Sequence, residues 1–153
     1  MCIRDRAVLE LRKTKLGLDH PDTIASMIKV GNLLLEVDAE RASELLLSAY
    51  SSQKSKTPDE WSTFDVQSLF GKALLLQKKY KEAKRHLSEA FSGLKTNVKD
   101  MPKSLRSKRL NDTIDRLIEL AKATEDDEDL KKWTKEKEWL ESELDTAEGA
   151  PSQ

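Results

Sequence analysis

Residues 57–94 read TPDEWSTFDVQSLFGKALLLQKKYKEAKRHLSEAFSGL, and the way this stretch divides decides the fold. Phe70, Gly71 and Leu74 fall on one stripe of a first helix, and Tyr80, Ala83, Leu87 and Ala90 on one stripe of a second. Spacings of three and four are the period of a helix that buries one face. A tight turn separates the two. Thr57, Pro58, Asp59 and Glu60 have the form of a capping box with proline at the first helical position. Thr57 is therefore expected to accept from the backbone at Glu60 while Glu60 reaches back. Trp61 and Phe64 follow on a face that can meet a preceding element. Core packing suits them, because Asp59, Glu60 and Asp65 surround them where a base-stacking platform would carry basic residues.

The same pattern stands upstream. A first helix is predicted from Pro21 to Val37, with Ile24, Met27 or Ile28, Gly31 and Leu34 turned towards its partner. A second is predicted from Ala39 to Lys54, burying Ala42, Leu45, Leu46 and Ala49. The connection at residues 37–40 is short, and short connections force antiparallel neighbours. Subtraction gives the register: Ala7 to Ala49 is 42 positions, Ala49 to Ala90 is 41, Ala42 to Ala83 is 41 and Gly31 to Gly71 is 40. Small residues recurring at matching places have one physical reason. Two helices approach closely only where a side chain is a methyl group or a hydrogen.

Working outward, AVLELRKTKLGLDHPD at residues 7–22 reads as the end of one helix running into the next. Gly17 takes the place of a C-cap glycine, Asp19 or His20 that of an N-cap, and Pro21 the first helical position. His20 is a capping residue on this reading. A metal role is disfavoured, since His86 is the only other histidine and no cysteine is near. The opening MCIRDR, residues 1–6, lacks the apolar core of a signal peptide and reads as a junction foreign to the pattern, with Cys2 an accident of that start. Downstream, residues 92–103 are a longer linker and Pro102 marks the next start. A helix from Lys103 to Thr124 carries Leu110, Ile114, Leu117, Ile118 and Ala121 on one stripe. The acidic turn at 125–129 follows; it lacks the glycine and alternating spacing of a calcium loop, and acids at a helix N-terminus have a sufficient role. A closing helix from Glu128 to Leu144 turns Leu130, Trp133, Leu140 and Leu144 inward and is otherwise Lys and Glu, which suits a terminal element with no covering neighbour. Thr146 to Gln153 reads as a disordered tail.

Composition agrees. Of 153 residues 36% are charged and 5% aromatic, with five Gly and four Pro, so the core is aliphatic and strands are not expected. A net charge of −1 argues against nucleic-acid binding. No run approaches the roughly 18 apolar residues of a membrane span. A single cysteine cannot form an internal disulfide, which fits a reducing, cytoplasmic compartment.

The small and large apolar positions of both helix pairs resemble those of the tetratricopeptide repeat (TPR), and the LGLDHPD turn at residues 16–22 resembles the connector of long, kinesin-light-chain-like repeats. That resemblance implies an all-α, right-handed solenoid of antiparallel helix hairpins. Its divisions would be a junction at 1–6, the second helix of a truncated repeat at 7–18, repeats at 19–57 and 58–95, a degenerate C-terminal capping hairpin at 96–145 and the tail at 146–153. Three phrases, PDEWSTFDVQSLFGKALLLQKKYKEA, HLSEAFSGLK and RLNDTIDRLIELAKATEDDEDLKKWTKEKEWL, resemble the C-terminal repeat region of large serine/threonine protein kinases of planctomycete-like bacteria. The likeness covers residues 7–144, with Trp133 matching an inward tryptophan. It departs at 125–129, where glycine is usual, and at Leu130, where alanine is.

No glycine-rich phosphate loop, HRD catalytic loop, DFG triplet, Ser/His/Asp set or GxSxG elbow occurs, so no catalysis and no cofactor is expected of this chain. The repeat resemblance implies a protein-binding scaffold whose first helices line a concave surface for an extended peptide or partner helix. Aligning Gly31 with Gly71 puts Lys29, Asn32 and Glu36 on that surface beside Asp65, Ser68, Lys72 and Leu75, with Asp112, Asp115 and Glu119 continuing it. Its mixed charge suits a peptide with both charges and an apolar anchor. The same residues also fit a plain solvated face. A second reading, from the kinase resemblance, is a regulatory or substrate-recruiting fragment whose catalytic domain lies elsewhere. A third is a structural solenoid that only self-associates. A monomer is expected, with dimers an artefact of an unpaired helix edge at residue 7.

Overall fold

The computed structural model describes residues 3–17 and 19–149. These form seven α-helices, α1 (Ile3–Leu16), α2 (Pro21–Leu34), α3 (Ala39–Lys56), α4 (Trp61–Leu76), α5 (Tyr80–Thr96), α6 (Lys103–Ala123) and α7 (Asp127–Gly149), with one 3₁₀ turn at Val98–Asp100. No strand occurs among the described residues, so the fold is all-α. Each helix packs on its neighbours in sequence, and α4 also touches α6.

The helix ends follow from local chemistry. Gly17 closes α1 at φ +86°, a left-handed conformation that glycine adopts without steric cost. His20 caps α2, its Nδ1 accepting from the Asp22 N–H at 3.1 Å, and Pro21 follows at the first position. Asp38 caps α3 by accepting from the Arg41 N–H at 3.1 Å. The hairpins α4–α5 and α6–α7 turn without glycine. Lys78 (φ +62°) and Glu125 (φ +55°) take the left-handed position. The two turns share one hydrogen-bond pattern: Lys79 N to Leu74 O at 2.9 Å with Lys78 N to Leu75 O at 3.0 Å, and Asp126 N to Ala121 O at 2.9 Å with Glu125 N to Lys122 O at 3.2 Å. This is the Schellman closure. Asp126 then caps α7, accepting from the Asp129 N–H at 3.1 Å.

Several sequence expectations are corrected. The capping box at Thr57 does not form. Helix α3 runs two residues past Lys54, so the Thr57 N–H is consumed at its end, donating to Gln53 O at 2.6 Å, and α4 starts at Trp61. Thr63, buried in α4, ties the connection by donating from Oγ1 to Thr57 O at 2.6 Å. Helix α2 ends at Leu34, not Val37. The linker expected at 92–103 is half helix: Phe91 and Leu94 prolong the buried stripe of α5 to Thr96, and the 3₁₀ turn seats Met101 in the core. At the front, α1 takes in residues 3–6 of the opening MCIRDR run, and Met1, Cys2 and Leu18 lie outside the described residues. At the back, α7 continues through 146–149, where no helix breaker precedes Gly149, and residues 150–153 lie outside the described residues.

One contiguous apolar core joins the helices, from Leu9 of α1 through Met27, Leu46, Phe70, Leu87 and Ile114 to Trp133 and Leu140 of α7. Ala42, Ala49, Ala83 and Ala90 are fully buried. A β-carbon on Gly31 would lie 2.8 Å from Leu46 Cγ, and one on Gly71 2.7 Å from Leu87 Cγ. Both glycines therefore stand where neighbouring helices leave no room for a methyl group. Trp133 meets Phe91 edge to face at 5.5 Å between ring centroids, as expected of an inward residue. Leu45, Leu130 and Leu144 are only partly buried. Trp61 and Phe64 pack against the core from its edge.

Candidate functional site

Helices α2, α4 and α6 carry all ten residues singled out as a binding face, except Glu36, which lies just beyond the end of α2. The structure sorts them into four separate places. At α1–α2, Lys29 is exposed and pairs with Asp5 at 3.2 Å. It sits on the rim of a cleft of about 510 Å³ that also takes in Arg4, Val8, Arg12 and Ser26. Arg12 closes the cleft floor, donating to Ser26 Oγ at 2.5 Å and to Asp22 O at 3.1 Å. Asn32 is exposed further along α2.

The second place joins α2 to α4. Glu36 pairs with Lys72 at 3.2 Å, with Glu36 largely exposed and Lys72 half-buried. With Glu36 largely in water, a pair of this kind contributes little to stability, of the order of 0–1 kcal/mol, so both charges can be given to a ligand at small cost.

The third place is the α4–α6 seam, where Asp65, Ser68 and Asp112 converge. Ser68 is fully buried and is corrected as a ligand-facing residue. Its Oγ accepts from Arg116 Nη1 at 2.7 Å and lies 2.8 Å from Thr113 Oγ1, which itself donates to Arg109 O at 3.0 Å. Those partners fix the direction of the chain: Arg116 donates to Ser68, Ser68 to Thr113 and Thr113 to the α6 backbone. Asp65 lies 3.5 Å from Arg109 Nε. Burial pushes the Asp65 carboxyl above its ordinary value, against the opposing pull of Arg109 and Arg116. Burial likewise pulls Arg116 below the usual guanidinium value, with Asp112 and Asp65 acting the other way. Leu75 is also corrected, since it belongs to the apolar core.

The fourth place is α6–α7. Asp115 pairs with Lys137 at 2.6 Å, and the hydrogen bond raises the ammonium pKa. Glu119 is exposed one turn further on.

Sequence reasoning missed Arg109 and Arg116, the cationic half of the seam, and Thr113, the hydroxyl that joins Ser68 to the α6 backbone. Their signal was present: with Asp112 they sit at positions i, i+3, i+4 and i+7 of α6, one stripe beside the apolar one. Among the described residues no group of His, Cys, Asp and Glu is placed to hold a metal ion. No helix among them is long and apolar enough to cross a membrane. No protein-family model matches the chain, and no curated protein is similar enough to register as a match.

Proposed function

We propose that this chain is a TPR-type helical-repeat scaffold that performs no chemistry of its own and binds an extended peptide or a partner helix across α2, α4 and α6. The observation that carries the reading is a repeated close contact. Gly31 against Leu46 and Gly71 against Leu87 are the same glycine-on-leucine approach, displaced by 40 positions at the glycine and 41 at the leucine. Buried alanines follow at the same offset, Ala42 with Ala83 and Ala49 with Ala90. A recurring unit of this kind supports stacked hairpins whose first helices share one side. The ligand-facing set is then Lys29, Asn32, Glu36, Lys72, Asp112, Asp115 and Glu119, with Asp65 at its edge; Ser68 and Leu75 support it from beneath. Mixed charge across that set, cationic at Lys29 and Lys72 and otherwise mainly carboxylate, suits a peptide carrying both signs.

Peptide-array binding by the chain and by a Lys29→Ala/Asn32→Ala/Lys72→Ala variant tests this reading. Peptides bound by the parent chain and lost by the folded variant are expected. Equal binding by both would place the interaction elsewhere.

A further inference from the structure

Gln67 of α4 is buried to 1% exposure, and its amide is committed in an unusual way. Its Nε2 donates to Glu89 Oε2 at 2.8 Å and lies 3.2 Å from His86 Nδ1, both on α5. Its Oε1 is buried with no hydrogen-bond partner. On the far side of the imidazole, Arg85 Nη2 lies 3.2 Å from His86 Nε2. Both ring nitrogens thus face nitrogen donors. A neutral ring can accept at only one of its nitrogens; accepting from buried Gln67 at Nδ1 puts the ring hydrogen on Nε2, facing exposed Arg85.

Protonation removes that solution. An Nδ1–H would face the Gln67 N–H₂ at hydrogen-bond distance. Reversing the amide satisfies the imidazolium but aims Oε1 at the Glu89 carboxylate; keeping the amide leaves two donors in collision. Reversal, which relieves the collision of donors, breaks the Gln67 to Glu89 hydrogen bond. Glu89 is exposed and lines an open cleft of about 560 Å³ with Asp59, Phe64, Ser92, Gly93 and Asn97. We propose that Gln67, His86 and Glu89 form an acid-operated latch, in which a proton on His86 breaks the α4–α5 tie and frees the Glu89 carboxylate beside that cleft.

The surroundings hold the latch shut near neutrality. Phe70 of α4 and Tyr50 of α3 cover the ring edge to face, at 4.9 and 6.0 Å between centroids. Lys54 of α3 sits over the Tyr50 ring. Burial lowers the His86 pKa from 6.5, Arg85 and Lys54 lower it further, and Glu89 and Glu82 oppose them. A depressed pKa for a base means the folded state prefers the neutral ring. The stability it contributes is present above about pH 6.5 and is lost as the pH falls through the folded value.

Side-chain NMR of the full chain tests the latch. The His86 ring is expected to titrate at lower pH in the folded chain than in the urea-unfolded chain, and the Gln67 side-chain amide protons to shift with the same midpoint. Gln67 amide protons that stay fixed through the His86 titration would overturn the proposal.

Discussion

Gly71 of α4 lies so close to Leu87 of α5 that an added β-carbon would stand 2.7 Å from both Cγ and Cδ2 of the leucine. The distance is shorter than carbon atoms in contact tolerate, so the leucine must turn aside or the helices must part. Gly71→Leu is predicted to cost about 1–3 kcal/mol by overpacking. Gly31→Leu, against Leu46, is predicted to cost a similar amount. Chemical denaturation of the two variants measures both. Wild-type midpoints would show that the glycines do not set the helix spacing.

The turns at Lys78 and Glu125 place a side chain in a conformation that favours glycine. Lys78→Gly and Glu125→Gly are each predicted to stabilise the chain, by about 1 kcal/mol, by removing left-handed strain. Glu125→Gly also removes a negative charge from the run at 125–129 without touching Asp126, whose side chain caps α7. Thermal unfolding reads the effect. A lower melting temperature in both variants would mean that the side chains, not the backbone strain, decide these turns.

At the α4–α6 seam, Ser68→Ala leaves Thr113 Oγ1 without its hydroxyl partner and Arg116 Nη1 without its acceptor. The loss is predicted to be about 1–3 kcal/mol, the cost of stranding buried polar groups. Asp65 beside it adds a pH signature. Its raised pKa means that the folded state holds the proton more tightly than the unfolded chain does. Its contribution to stability is therefore fully present below pH 3.8 and is lost as the pH rises through the folded value. Carboxyl NMR is expected to give an Asp65 midpoint above 3.8. A midpoint at or below 3.8 would show that the arginines outweigh burial.

Much of this arrangement was legible in the chain because one cause acts locally. The recurrence of Gly31 with Gly71 and Ala42 with Ala83 located both close contacts, since backbone approach admits no other residues there. The stripes on α5 and α6 were legible for the same reason. What escaped reading was decided by competition between neighbours. Thr57 could serve as the cap of α4 or the end of α3, and only the packing of α3 chose the latter. Ser68 looked like a surface hydroxyl until Thr113 and Arg116, 45 and 48 residues later in sequence, closed over it. A polar residue on a helix shows its period, but the helix that covers it is set by the next hairpin.

The closing helix offers a comparison between two tryptophans six residues apart. Trp133 is buried and meets Phe91 edge to face at 5.5 Å, so it carries the contact that docks α7 on α5. Trp139 is 48% exposed, with Lys95 Nζ 4.5 Å from its ring centroid while the same ammonium pairs with Glu136. Trp133→Ala is predicted to cost about 3–5 kcal/mol, and Trp139→Ala less than about 1 kcal/mol, the scale of an exposed cation–π contact. Because α7 packs chiefly on α6, loss of the Trp133 anchor should free α7 before the preceding helices melt. Hydrogen exchange along the chain separates the two variants: Trp133→Ala is expected to deprotect α7 alone, and Trp139→Ala to leave its protection unchanged. Equal protection of α7 in the two variants would refute the anchor.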